Sequence, residues 1–401
     1  MPDGRWAIVF LLPLLAAMSA GCRDTRHSAG QAQAAVAVRD TTVEELHSTL
    51  PRVTAIDTAT TNVARFIAGM EPLAGSGLDS LTNTAAWRGY HQISDRAWRD
   101  FLTHQYASVR RFSATIPETT DSNATVLYPF SGPDLLYVHA MFPTAERYVM
   151  FGLEPPGAVP DLDAVAARDV QEVVQAAAAS IEEIISCSFF RTIDMRTELA
   201  TDHLLGTLPI VMQLAVRTGN YIVGVRFFSL DVDGVPAYRE APVADTTGYG
   251  TGFELKLCDA DDGSTRHTVV YLCCDASDSG MAGRGKGVGE YLRQVDDQAV
   301  CYIKAASYLM HKSYFSNIRS LILARSALIV QDDSGIPFRY FTPDVWTVHL
   351  YGSYTKPIDM FKEFTQDDLV AAYSARTEDL GVRFGYLRQS AVQVAVRRRD
   401  P

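Results

Sequence analysis

Between residues 124 and 157 the chain reads ATVLYPFSGPDLLYVHAMFPTAERYVMFGLEPPG, and this stretch narrows the possible folds more than any other. An apolar run from Thr125 to Phe130 breaks at Ser131-Gly132-Pro133, a short helical stretch follows, and a second apolar run from Tyr148 to Leu153 ends at Glu154-Pro155-Pro156-Gly157. Short apolar runs closed by turn residues read as buried strands. Two strands separated by a helix have the connection that a parallel pair needs, whereas an antiparallel pair needs only a tight turn. The expected unit is a right-handed crossover with the SGPD loop at the carboxyl end of its first strand.

The flanking sequence supplies what such a unit must pack against. Residues 57 to 116 read as helical: Ser94 is placed to cap a helix whose apolar residues Trp98, Phe101, Leu102, Tyr106, Val109 and Phe112 recur at spacings of three and four. Asp161 or Asp163 is expected to open a long helix with the stripe Val170, Val173, Val174, Ala177, Ile181, Ile184 and Ile185, and Leu208 to Val216 forms another that stops at Gly219. From Asn220 the period changes to that of strands. Tyr221 to Leu230 leads to Asp233-Gly234; Phe253 to Cys258 leads through Asp262-Gly263 to Thr268 to Cys274; Ala327 to Gln331 leads through Ser334-Gly335 to Phe338 to Phe341. Asp-Gly between alternating apolar runs is a strong hairpin signal, and Ser-Gly a weaker one. Helices are expected around residues 288 to 295, 302 to 325 and 365 to 374, and Trp346 to Tyr351 reads as a strand carrying His349. The fold class is therefore α/β: a mixed sheet with antiparallel hairpins, helices on both faces and scope for a Rossmann-like core. One domain is expected over residues 46 to 385, helical to about 120, with residues 386 to 401 as a tail ending in the solvated cluster Arg397 to Arg399.

The N-terminus sets the compartment. Residues 7 to 18 (AIVFLLPLLAAM) form an apolar run after Arg5 and before Ser19, Ala20 and Gly21, the order of a signal peptide over residues 1 to 21. SAGC, ending at Cys22, resembles the lipobox of bacterial lipoproteins, which implies acylation of Cys22 as the mature N-terminus. Residues 22 to 45, rich in Ala, Gln and polar residues, then read as a flexible tether. Arg23 stands after the Cys where some bacteria use Asp for inner-membrane retention, so outer-membrane placement is the expectation. A formal net charge of −11 without a basic stripe argues against nucleic acid as a partner.

Motifs for chemistry are sparse. GMAGRGKG, residues 280 to 287, carries the G-x-x-x-x-G-K spacing of a phosphate loop, but Gly287 stands where a Ser or Thr should reach magnesium, and a flexible surface loop is expected instead. Cys187, Cys258, Cys273, Cys274 and Cys301 match no zinc or dithiol spacing; buried thiols are expected, with room for one disulfide in an oxidising compartment. Neither a metal nor a cofactor is expected. His349 reads as a sheet residue, and the acidic turn Asp259, Asp261, Asp262 as a solvated hairpin.

Two resemblances add to this reading. Residues 125 to 154 resemble the first crossover of Rossmann-like methyltransferases, with Glu154 where an acid would hold ribose hydroxyls, although SGPD has one glycine where such folds use two or more. YPFSGPD (128 to 134), IKAASYLMHKSYF (303 to 315) and QDDSGIPFRYF (331 to 341) resemble stretches of an uncharacterised group of exported bacterial proteins, many of them lipoproteins. That likeness implies export and one continuous domain, and carries no catalytic residue. The expected function is ligand or partner binding at the cell envelope; the alternatives are an extracytoplasmic hydrolase using carboxylates, and a methyltransferase-type fold that does not use the cytoplasmic cofactor. The candidate ligand-binding residues are Ser131, Asp134 and Glu154 at the carboxyl ends of the crossover strands, and Asp332, Asp333 and Arg339 around the Ser-Gly turn, with Arg339 expected on the returning strand.

Overall fold

The structure, a computed structural model, is described for residues 56–116, 121, 124–187, 204–242, 250–261, 263, 266–296, 298–386 and 390–398. The leader, Cys22 and the tether lie outside the described residues, as do Asp262, Arg399 and the side chain of Cys187.

The crossover forms as its sequence requires. Strand β1 (Thr125–Pro129) and strand β2 (Arg147–Gly152) pair in parallel, joined through helix α5 (Leu135–Met141). The helix starts where it does because the Asp134 carboxylate accepts the Tyr137 N–H at 3.0 Å, satisfying one of the amides left open by the first turn. Every residue of α5 is buried, as expected of a helix pressed between a sheet and an outer helical layer.

Upstream lie α1 (Thr58–Ile67), α2 (Asp79–Thr82), α3 (Ala85–Phe101) and, after a π turn, α4 (Ala107–Ser113). Thr84 caps α3 by accepting the Trp87 N–H at 3.2 Å. Ser94 therefore caps nothing: it lies inside α3, buried, and donates to the Ala68 carbonyl at 3.1 Å. Helix α6 (Val170–Cys187) buries the predicted stripe, Ile185 only in part, but begins later than expected, because Asp161 spends its side chain on a turn, accepting the N–H groups of Asp163 and Ala164. Helix α7 (Leu208–Arg217) follows. Arg217 at its end donates to the carbonyls of Ala68 and Gly69, tying it to the loop before α3.

Strands β3 (Asn220–Leu230), β4 (Pro236–Arg239), β5 (Thr251–Asp259) and β6 (Arg266–Cys273) form the antiparallel ladder that Asp-Gly turns predict. The Gly-rich stretch 280 to 287 is only in part the expected surface loop, an exposed turn around Gly283 and Arg284. The rest belongs to α8 (Asp278–Ala282) and the start of α9 (Lys286–Gln294), where a Cβ on Gly287 would lie 1.9 Å from the Asp231 carbonyl oxygen.

Three further readings are corrected. Residues 299 to 303, partly absorbed in an expected helix, are strand β7 (Ala299–Ile303), and helix α10 begins later (Ser316–Arg325). Strand β8 (Ser326–Gln331) does not turn back as a hairpin: the Gln331 side-chain amide donates to the Ile336 carbonyl at 2.8 Å and accepts the Ile336 N–H at 2.9 Å. The chain is thereby folded into a local loop, and Phe338–Tyr340 is a 3-10 turn. Beyond β9 (Trp346–Gly352) and α11 (Asp367–Ala375), the expected tail contains strand β10 (Ala391–Arg397), paired antiparallel with both β8 and β9. Arg397 is not a solvated end, since it donates to the Ser326 carbonyl at 2.8 Å and lies over Trp346.

The ten strands form one sheet in the order β4-β3-β5-β6-β2-β1-β7-β8-β10-β9, in which β6, β2, β1, β7 and β8 are mutually parallel. Alternation along each strand divides the core. Val126, Tyr128, Tyr148 and Met150 meet α5 and α7 on one face, while Leu127, Val149 and Phe151 meet α9 and α10 on the other. Each large apolar side chain buried this way contributes about 1.5–3 kcal/mol. Among the described residues no helix is long and apolar enough to cross a membrane.

Candidate functional site

Four chain segments meet at the carboxyl edge of the parallel strands: the loop after β1, the end of β2, the segment after β7 and the loop after β8. Their polar side chains lie on the α5 face because residues two apart on a strand point the same way. Tyr128 on β1, Tyr302 on β7 and Val330 on β8 belong to that face, which carries Lys304 and Asp332 onto it as well.

At the end of β1, Phe130 and Gly132 take left-handed conformations (φ 58° and 51°), and Ser131 N–H donates to the Phe151 carbonyl on β2 at 3.1 Å. Beyond capping α5, Asp134 accepts the Tyr128 hydroxyl at 2.8 Å and faces Lys304 Nζ at 3.4 Å, both side chains of the ion pair being buried. Lys304 Nζ also lies 4.0 Å from the centre of the Tyr137 ring. Burial lowers the Lys304 pKa from its ordinary value, and the charges of Asp134 and Asp332 pull it back. Glu154 comes close to the same loop. A Cβ on Gly152 would stand 2.5 Å from Glu154 Oε2, 3.2 Å from the Tyr271 hydroxyl and 3.3 Å from Gly132 N, so only glycine lets these groups converge.

Past Lys304 the chain runs as a strap. Ala305, Ser307 and Tyr308 have φ of 52°, 51° and 54°, conformations that cost non-glycine residues about 1–2 kcal/mol each. Side chains from elsewhere hold them. Ala305 N–H donates to Asp332 Oδ2 at 2.7 Å, Ala306 N–H to Ser334 Oγ at 2.7 Å, and Ser307 N–H to the Tyr386 hydroxyl at 3.0 Å; the Tyr308 hydroxyl donates to Asp333. Asp332 also accepts the Ser334 N–H at 2.9 Å and the Ser334 hydroxyl at 2.5 Å. Its pKa is nevertheless raised, because burial outweighs these neutral donors and Lys304.

The adjacent acids separate. Asp332 is buried on the α5 side, whereas Asp333 is bound by Tyr308, whose ring stacks on Phe364. Burial and the nearby Asp332 charge push Asp333 up to about 7, against the Tyr308 hydrogen bond. Arg339 stands exposed, in a 3-10 turn, beside two open surface depressions of about 400 and 500 Å³; the first is also lined by His311, Gln366 and Asp368 and the second by Phe341, Trp346 and Arg398. Neither depression reaches Ser131, Asp134 or Glu154.

Of the six candidate ligand residues, Ser131, Asp134, Glu154 and Asp332 share the edge, Asp333 flanks it, and Arg339 lies apart because its expected strand does not form. Lys304 and Tyr302 escaped the sequence reading, since AVCYI is too short a run to be told from a helix and IKAASYLM extends it with helical spacing. The only signal was a lysine directly after a fully apolar run. His349 is exposed on β9, Cys258, Cys273, Cys274 and Cys301 are buried, and among the described residues no three His, Cys, Asp or Glu side chains gather to hold a metal ion. No protein-family model matches the chain, and no curated protein matches it.

Proposed function

We propose that this is a lipid-anchored envelope protein whose domain binds a small polar ligand at the carboxyl edge of β2, β1, β7 and β8. The observation that carries the reading is the sheet order. Successive parallel strands depart in opposite directions from β1, so that β2 lies on one side and β7 on the other, and the crevice at such a reversal is where open α/β sheets bind ligands. The SGPD loop, Lys304 and the Asp332 loop stand at that reversal. Native mass spectrometry of the purified protein mixed with a small-molecule extract of the cell envelope, followed by hydrogen exchange, tests it. A bound species should protect residues 130–134 and 304–308; protection confined to other segments would overturn the assignment.

A second reading concerns the ligand. Counted in chain order, the parallel strands run third, second, first, fourth, fifth, and the reversed β10 stands between β8 and β9. The first five positions resemble the Rossmann order, which supports a Rossmann-like reading, and Glu154 follows just after β2, near where an acid holds a ribose in Rossmann folds. Against it stand the single glycine of SGPD and the burial of Glu154. Calorimetry with adenosine, S-adenosylmethionine and S-adenosylhomocysteine decides: micromolar binding lost in Glu154→Gln supports a nucleoside site, and absence of binding by all three excludes it.

A further inference from the structure

The two lateral ends of the sheet are finished differently. The last strand of a sheet leaves every second N–H and C=O unpaired, and proteins usually blunt such a strand against further pairing. At one end β4 is blunted: it has four residues, opens on Pro236 and ends on the exposed Arg239. At the other end β9 runs for seven residues, WTVHLYG, without proline or lysine.

Backbone hydrogen bonds show which groups of β9 face outward. Opposed residues of an antiparallel pair exchange both bonds or neither, in alternation. The Ser353 N–H turns inward to the Ser390 carbonyl at 2.9 Å, beside the start of β10. The Gly352 N–H turns outward to the Glu378 carbonyl at 2.8 Å, and the Leu350 carbonyl accepts the Glu378 N–H at 2.9 Å. Even-numbered residues of β9 therefore face away from β10. Of their outward groups, the Trp346 N–H donates to the Thr342 carbonyl at 2.9 Å and Glu378 closes the far end. The Trp346 carbonyl, both backbone groups of Val348 and the Leu350 N–H keep no partner among the described residues. An extended backbone is what matches four such groups in strand spacing.

The depression of about 500 Å³ lies against this stretch, with Phe338, Phe341, Pro343, Trp346 and Val348 as its apolar lining and Arg339 and Arg398 as its cations. Trp346 and Val348 share one side of β9, while Thr347 and His349 stand exposed on the other. An added strand would thus set alternate side chains into the depression. Its one lining acid, Asp368, accepts the Leu369 N–H at 2.9 Å, and Asp344 stands near enough to Arg398 to feel its charge. Neither arginine forms an ion pair among the described residues, so Arg339 is placed to receive an acid from outside.

We propose that β9 is a docking edge for an extended peptide segment of a partner protein, which pairs with Trp346 to Leu350 as an eleventh strand, sets apolar side chains into the depression and holds an acid against Arg339. This surface shares no lining residue with the SGPD loop, Lys304 or the Asp332 loop, so either site can fail without the other.

The probe is a phage-displayed library of random twelve-residue peptides panned on the full chain, with the enriched peptides synthesised and measured by calorimetry. The diagnostic variant is Val348→Pro. Its lost N–H points outward, so proline breaks no bond to β10 and is tolerated on an edge strand; the variant should melt within a few degrees of the parent. Enriched peptides should alternate apolar and polar residues, carry Asp or Glu, and lose affinity tenfold or more on Val348→Pro and on Arg339→Ala. Bound peptide should slow amide exchange at Val348 and Leu350, whereas His349 and Tyr351, paired with β10, are slow already. Methylating the peptide's backbone nitrogens should abolish binding, a result read on the parent chain and independent of how the variants fold. The proposal is overturned if no peptide is enriched, if methylation or Val348→Pro leaves affinity unchanged, or if Arg339→Ala does so. A concentration-dependent dimer abolished by Val348→Pro would make a second copy of the chain the occupant and likewise overturn it.

Discussion

Asp333 shows how one carboxylate couples the edge to pH. Its folded pKa is about 7, raised by burial and by the neighbouring Asp332 charge, whereas an aspartate in the unfolded chain titrates near 3.9. A raised folded pKa means that the folded state holds the proton more tightly. The resulting stability is complete below about pH 4, declines as pH rises and is lost above about 7. The shift of about three units sets a ceiling of roughly 4 kcal/mol, and solvent at the partly exposed side chain reduces this to about 1–3 kcal/mol. Asp333→Asn imitates the protonated form. It should therefore melt close to the parent at pH 5 and several degrees above it at pH 8, a widening gap that calorimetric scans across this range would detect. A constant gap would mean that Asp333 is ionised in the folded state throughout.

At the scale of elements, β7 and β10 do most to assemble the edge, and both were obscured in sequence for the same reason. Each is short, and neither is bounded by the Gly-rich turns that mark the β3–β6 ladder. β7 lies between β1 and β8, which sets the Asp134 loop beside Lys304 and Lys304 beside Asp332. β10 closes the other flank, with Val392 and Ala395 fully buried and Val394 nearly so. Burying the two valines contributes about 1.5–3 kcal/mol each, and removing the strand also strips hydrogen-bond partners from β8 and β9. A chain ending at residue 389 should accordingly lose cooperative unfolding, measured by near-ultraviolet circular dichroism and a thermal scan. A sharp melt within a few degrees of the parent would show residues 390 to 401 to be the tail that their composition suggests.

For the whole molecule, residues 50 to 401 form one compact unit. Its sheet is covered by α1 and α3 to α7 on one face and α8 to α10 on the other. Anchoring and stability are expected to be independent. A chain begun at Leu50 should melt at the same temperature as the full protein. The native protein should fractionate with membranes and partition into detergent, while Cys22→Ala accumulates as unprocessed precursor. Equal partitioning of the two forms would remove the lipid anchor from the proposal.

What the sequence determined by itself is local. The β1–α5–β2 unit, the Asp-Gly hairpins and the helical stripes were legible because burial on one or two sides leaves a period in the residues, and because turns and caps need particular side chains nearby. Asp134 was legible as the acid of the SGPD loop, and Glu154 and Asp332 as acids ending apolar strands. Tertiary structure alone decided which strands became neighbours and therefore which of these acids share a face. The pairing of β10 with β8 joins segments some sixty residues apart, as Gln393 opposite Gln331 shows, and no local period encodes such a partner. The same holds for Lys304 opposite Asp134: each is an ordinary polar residue after an apolar run, and only the parallel pairing of β1 with β7 brings them to 3.4 Å in a place where water cannot separate them.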